Sequence, residues 1–207
     1  MSLEKNRSLT EKIVVTAILA AIIVVLQTFA SSIKIGPFSI TLSLVPIMIG
    51  AILYGSAVGA ILGAVFGAVV CVSVVTGVDV GGFIMFQKLP VLTLFLCLLK
   101  STVAGFASGE VYKAFKKLKL FSGKGNPGVI LAAIVCPVCN TGILCVGIFA
   151  FYRDIAIGWA NSNGYDSLLL YILVGMVGIN FLMELLINIV LVPVIVRVVK
   201  AVKKVHS

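Results

Sequence analysis

Long apolar runs broken by short polar punctuation dominate this chain. The runs cover residues 9–29, 42–54, 57–75, 89–107, 128–152 and 167–196. A helix of about 20 apolar residues is long enough to cross the hydrocarbon core of a bilayer. The pattern therefore predicts six transmembrane helices. The run at 42–54 is short for a span, and Pro46 near its start either bends it or sets its first turn. The fourth run continues as helix toward Phe115, and the sixth is long enough to tilt or protrude. A membrane barrel is excluded, because the apolar segments are continuous instead of alternating. The fold class is an all-α membrane protein, one domain over residues 1–207 with polar tails at 1–8 and 201–207.

The punctuation has its own content. Residues 31–41, SSIKIGPFSIT, alternate in character around Gly36-Pro37, so a short external hairpin or cap is predicted between helices 1 and 2. Gly55-Ser56 predicts a tight turn. Residues 76–88, TGVDVGGFIMFQK, read as an adaptable external loop with Asp79 as its one acid. Residues 116–127 form a basic loop broken by Gly123, Gly125 and Asn126-Pro127. Residues 153–166, RDIAIGWANSNGYD, read as the third and most polar external loop, and Trp159 within it is the only tryptophan.

Within the third run, glycine recurs every fourth residue at Gly55, Gly59, Gly63 and Gly67. Glycine inside a helix costs about 1 kcal/mol relative to alanine. In a membrane, where lipid supplies no hydrophobic drive for helix association, small residues let backbones approach closely. The row predicts a closely packed helix seam. Ala17-x-x-x-Ala21, with Ala20 alongside, forms a second small-residue face on the first helix.

Composition strengthens the membrane reading. The chain is 61% hydrophobic and 11% charged, with a mean hydropathy of +1.23, whereas a soluble domain carries about 25% charged residues. The net charge of +9 is concentrated in three clusters. Lys5, Arg7 and Lys12 precede the first helix. Lys113, Lys116, Lys117, Lys119 and Lys124 lie between the fourth and fifth. Arg197, Lys200, Lys203 and Lys204 close the chain. With six spans these fall on one side, which the positive-inside rule makes cytoplasmic, as it does both termini. Topology accounts for the basic residues without nucleic acid. The first apolar run is too long for a signal peptide and further spans follow, so cleavage is not expected.

Candidate chemistry is sparse. Intramembrane ionisable residues mark function by default, and there are two deep ones, Lys100 and Glu184. They either pair with each other or line a cavity in which Lys100 receives an anionic ligand group. Asn140 adds an amide at similar depth, and Asn180, Glu184 and Asn188 share one helix face at i, i+4, i+8. A polar stripe of this kind faces protein or water, which points to a cavity between helices four, five and six. Trp159, Asn161, Asn163 and Tyr165 in the third external loop combine aromatic surface with amides, either as part of a ligand gate or as an interfacial belt. Cys136-Pro-Val-Cys139 matches C-x-x-C, but with no neighbouring histidine and no cysteine in an external loop it makes a weak redox or metal site. No Walker A, HExxH or GxSxG sequence occurs, so no catalytic constellation, metal site or cofactor is expected. Binding or transport is favoured over an enzyme.

Six spans in 207 residues, a short second span, Ala17-x-x-x-Ala21 and the run PFSITLSLVPIMIGAILYGSAVGAILGAVFG together resemble the S components of energy-coupling factor (ECF) transporters. The resemblance covers about residues 9–200. It implies a multi-pass protein of the cell membrane that captures a vitamin in the outer half of the bilayer, under the external loops. It implies a substrate site carried by Lys100, Asn140, Trp159, Asn161, Asn163, Tyr165, Asn180 and Glu184. It further implies that Ala17 and Ala21 dock on a transmembrane T component and that two ATPases drive uptake. The chain looks nearest the pantothenate and riboflavin branch, with folate close behind. Pantothenate is slightly favoured, because Lys100 can meet its carboxylate. Two other classes remain: a self-sufficient secondary transporter using Lys100 and Glu184, and a membrane thiol oxidoreductase using Cys136 and Cys139.

Overall fold

The computed structural model describes residues 2–30, 34–35, 38–39, 41–117, 127–176 and 178–204, with the backbone alone described for 2–8, 34–35, 38–39, 117, 176, 179–180 and 198–204. The apolar runs form helices. They are α1 (Ser2–Ala30), α2 (Leu44–Tyr54), α3 (Ser56–Val75), α4 (Val80–Lys88), α5 (Pro90–Lys117), α6 (Pro127–Phe151), α7 (Arg153–Ser162), α8 (Leu168–Leu170) and α9 (Gly178–Lys204), with a π-helical stretch at Tyr171–Met176. Among the described residues four helical segments are long and apolar enough to cross a membrane: Leu9–Ala30, Ser56–Val75, Pro90–Lys116 and Pro127–Phe151. Between α1 and α2, β1 (Lys34–Ile35) pairs antiparallel with β2 (Phe38–Ser39), in the register Lys34 to Ser39 and Ile35 to Phe38. This is the expected hairpin. Its Gly36-Pro37 turn and the basic loop at 118–126 lie outside the described residues.

Two expected loops are helices. In residues 76–88 the Asp79 carboxylate accepts a hydrogen bond from the Gly82 amide at 2.8 Å, an N-cap that starts α4. In residues 153–166, Ala156 and Ala160 are buried one turn apart while Arg153, Asp154, Asn161 and Ser162 stay exposed, so α7 is a short amphipathic helix. The sixth apolar run is also not one regular helix, because the π-helical stretch separates α8 from α9. Such π segments occur frequently at functional sites.

The short α2 occupies the middle of the bundle. It touches α1, α3, α5, α6 and α9, and Leu44, Pro46, Ile47, Met48, Gly50, Ala51 and Ile52 are all buried. Pro46 falls in its first turn, where the missing N–H has no helical partner to lose. Around it the chain packs α1 on α3, α3 on α5, α5 on α6 and α6 on α9.

The glycine row makes the closest of these contacts. A methyl group on Gly59 would strike the Gly105 carbonyl of α5, and one on Gly105 would strike the Gly59 carbonyl. A methyl on Gly63 would strike the Ser101 carbonyl, and one on Gly67 would lie 2.9 Å from the Cys97 carbonyl oxygen. Gly55 stands apart from the row. It is the hinge between α2 and α3, with φ of 95°, a conformation that glycine adopts at little cost.

The outer flanks of the helices carry apolar side chains that no other part of the chain covers. Ile13, Val25 and Phe29 of α1 and Ile61 and Val72 of α3 are more than half exposed. Ala17 and Ala21 lie on the same open face of α1, whereas Leu19 and Ile23 turn inward.

Candidate functional site

The site is built around Lys100. Its α5 turn is held against α3 by the contact of Gly63 with Ser101, which fixes the depth and direction of the lysine. Lys100 is 8% exposed. Among the described residues no group lies within hydrogen-bond or ion-pair distance of its ammonium; the ion pairs found there are Lys88 with Asp154 and Lys113 with Glu110. An ammonium removed from water without a partner is costly unless something supplies the counter-charge.

The Lys100 side chain instead lines a cavity of about 20 Å³, together with Val70 and Val74 of α3, Asp79, Gly82 and Met85 around α4, Thr93, Leu96 and Cys97 of α5 and Leu144 of α6. That space holds about one water molecule. A larger ligand enters only when the cover over it moves. This cavity therefore lies between α3, α4, α5 and α6. Its apolar wall residues carry no sequence signature beyond hydrophobicity.

One wall of the cavity is α4, and through Met85 and Leu96 its lining continues into a cluster that reaches α7. Tyr152, fully buried, hydrogen-bonds Thr93 at 2.8 Å, and its hydroxyl also donates to the Leu89 carbonyl at 3.3 Å. Neither Tyr152 nor Thr93 stood out in the sequence. Met85, Leu96, Ile148, Tyr152, Ala156 and Ala160 form a continuous apolar cluster above the cavity, with Trp159 and Tyr165 packed against it. The Tyr165 ring meets Tyr171 edge-on at 5.3 Å, and Gly175 leaves room for both rings. Lys88 donates to Asp154 and so ties α4 to α7. That contact holds the exposed Asp154 carboxyl below its usual range.

Other expected site residues are placed elsewhere. Asn161 and Asn163 are exposed, and the Asn163 amide donates to the Trp159 carbonyl at 2.8 Å, closing the end of α7. Asn180 lies in α9, and its side chain is outside the described residues.

Glu184 and Asn140 belong to a second polar group at the α6–α9 contact. Glu184 is 3% exposed and accepts a hydrogen bond from Thr141 at 3.2 Å; Asn140 and Thr41 lie against the same carboxyl. Lys100 and Glu184 sense each other's charge but do not touch, so of the two sequence readings the direct ion pair is absent.

Cys136 is buried and Cys139 half-buried in α6, and both are free thiols. Replacing both with alanine is expected to leave ligand binding and uptake unchanged. Loss of either in a binding and transport assay would return the thiol chemistry to consideration.

A bundle of apolar helices, four of them long and apolar enough to cross a bilayer among the described residues, defines the fold of an integral membrane protein. Residues 11–196 match the family "ECF transporter, substrate-specific component". The chain belongs to this family of transporter subunits, and it is a multi-pass membrane protein. Among solved structures it is similar to ThiT from Listeria monocytogenes, with 19% identity, a TM-score of 0.58, and coverage of 95% of this chain and 97% of that one. At that identity the likeness establishes the fold alone. No curated protein sequence matches significantly.

Proposed function

We propose that this protein is the vitamin-capturing S component of an ECF importer in the cell membrane, with Lys100 as the residue that receives the anionic group of the vitamin. The observation that carries the ligand assignment is the buried Lys100 ammonium, unpaired among the described residues and lining the cavity. Asp79 and Thr93 line the same cavity, so the best-fitting ligand carries one carboxylate together with hydroxyl or amide groups. Pantothenate has that composition; riboflavin lacks the carboxylate, and folate adds a large ring system. We therefore retain pantothenate as the first ligand to test. Trp159 and Tyr165, packed against the Met85 cluster, form the aromatic part of the cover. Isothermal titration of the purified protein with pantothenate, riboflavin and folate tests the order. Tight binding of riboflavin alone would contradict a role for Lys100 as anion partner.

In the same reading the chain forms one domain with six spans, α2 and α9 joining the four longer apolar helices, and with both termini and the basic clusters in the cytoplasm. A T component and two ATPase subunits supply the energy. The exposed small-residue face of α1 supports docking there, since Ala17 and Ala21 admit a close helix contact. Ala17→Leu and Ala21→Leu are expected to reduce uptake at least about tenfold, a loss of about 1.4 kcal/mol at the contact, with the vitamin dissociation constant unchanged. Equal loss of binding and uptake would make this face structural.

A further inference from the structure

The polar group at the α6–α9 contact contains more acceptors than the protein satisfies. Asn140 is 2% exposed and Asn188 is 1% exposed, and the side-chain oxygen of each is buried with no hydrogen-bond partner. Buried acceptors left unmatched are unusual and costly, and they call for a donor or a positive charge. Asn140 rests against the Glu184 carboxyl, and Asn188 is one turn along the same face of α9, where side chains are neighbours. Thr141 donates its hydroxyl to the same carboxyl at 3.2 Å, and the Thr41 hydroxyl lies close to it. The result is one carboxylate, two unpartnered amide oxygens and two hydroxyls, with no ammonium or guanidinium in contact among the described residues. Lys100 lines the cavity between α3, α4, α5 and α6 instead.

All of these ligand atoms are hard oxygens, the set that suits alkali and alkaline-earth cations and not soft metals. A single carboxylate matches a single positive charge. A water molecule would serve the two amide oxygens but leave the carboxylate without a counter-charge in a membrane interior. We infer that Glu184, Asn140, Asn188, Thr141 and Thr41 form a binding site for a monovalent alkali cation, with Na⁺ as the probe of choice. The ion joins α6 and α9 to the segment leading into α2. This site does not depend on which vitamin the protein takes, or on whether it takes one.

The test uses the full chain purified in detergent, without vitamin, and measures ²²Na⁺ binding by scintillation proximity. The expected result is saturable binding of about one ion per chain, competed by unlabelled Na⁺ and not by N-methyl-D-glucamine at equal ionic strength. Glu184→Gln abolishes it. Asn188→Leu weakens it by about tenfold or more, since even outer-shell partners of a metal carry that much affinity. NaCl also raises the melting temperature of the wild-type protein above its value in N-methyl-D-glucamine chloride. Absence of saturable ²²Na⁺ binding by the wild-type protein overturns the inference, as does undiminished binding by Glu184→Gln. If a variant does not fold, the wild-type competition experiment alone decides.

Discussion

Lys100→Met is expected to weaken vitamin binding by about 100- to 1,000-fold, equivalent to about 2.8–4.2 kcal/mol, as for loss of one partner from a buried charge pair. Methionine keeps the length and apolar stem of lysine and removes the ammonium. Because no described residue pairs with that buried ammonium, its removal should leave the melting temperature unchanged or raise it. Lost binding with retained stability separates a ligand-binding lysine from a structural one. Lys100→Arg should not restore full affinity, since the planar guanidinium is larger than the ammonium and the cavity has room for about one water. Titration calorimetry with pantothenate and a thermal melt check both arms. Wild-type affinity in Lys100→Met would remove Lys100 from the site.

The second large effect lies in the α3–α5 seam. Gly59→Ala and Gly63→Ala each place a methyl group against a backbone carbonyl of α5, which cannot move aside as a side chain does. Overpacking of this sort costs about 1–3 kcal/mol, and more where backbone must shift. Gly63→Ala carries a further consequence. Its methyl strikes the Ser101 carbonyl, next in the chain to Lys100, so displacement of that turn should lower vitamin affinity as well as stability. Gly142→Ala and Gly158→Ala serve as controls, because a methyl at either position meets nothing within 4 Å. Thermal melts of the four variants should separate into two groups. Equal stability across all four would mean that the seam is looser than described.

The glycine row, the apolar runs and the alternating SSIKIGPFSIT segment were legible because each follows from a period or a length. Lys100 and Glu184 were legible because charge is rare inside apolar helices. The positions around them were not. Val70, Val74, Met85 and Leu96 wall the cavity with side chains indistinguishable in sequence from any others in the core. The α4 and α7 covers were read as loops because glycine and polar residues obscure helices this short; only the Asp79 cap marks the start of α4. The central position of α2 was hidden by its length, since a short apolar run looks like a marginal span until its neighbours are known to surround it. The pairing of Tyr152 with Thr93 joins residues on α5 and at the end of α6, a relation that no local pattern records.

The central claim is that this chain captures its ligand alone but imports it only with partners. Reconstitution into liposomes loaded with an ion gradient tests it most directly. The purified protein by itself should bind pantothenate and accumulate none inside the vesicles, and accumulation should appear when a T component, two ATPases and ATP are added. Accumulation by the chain alone, driven by the gradient, would contradict the account and make the protein a secondary transporter.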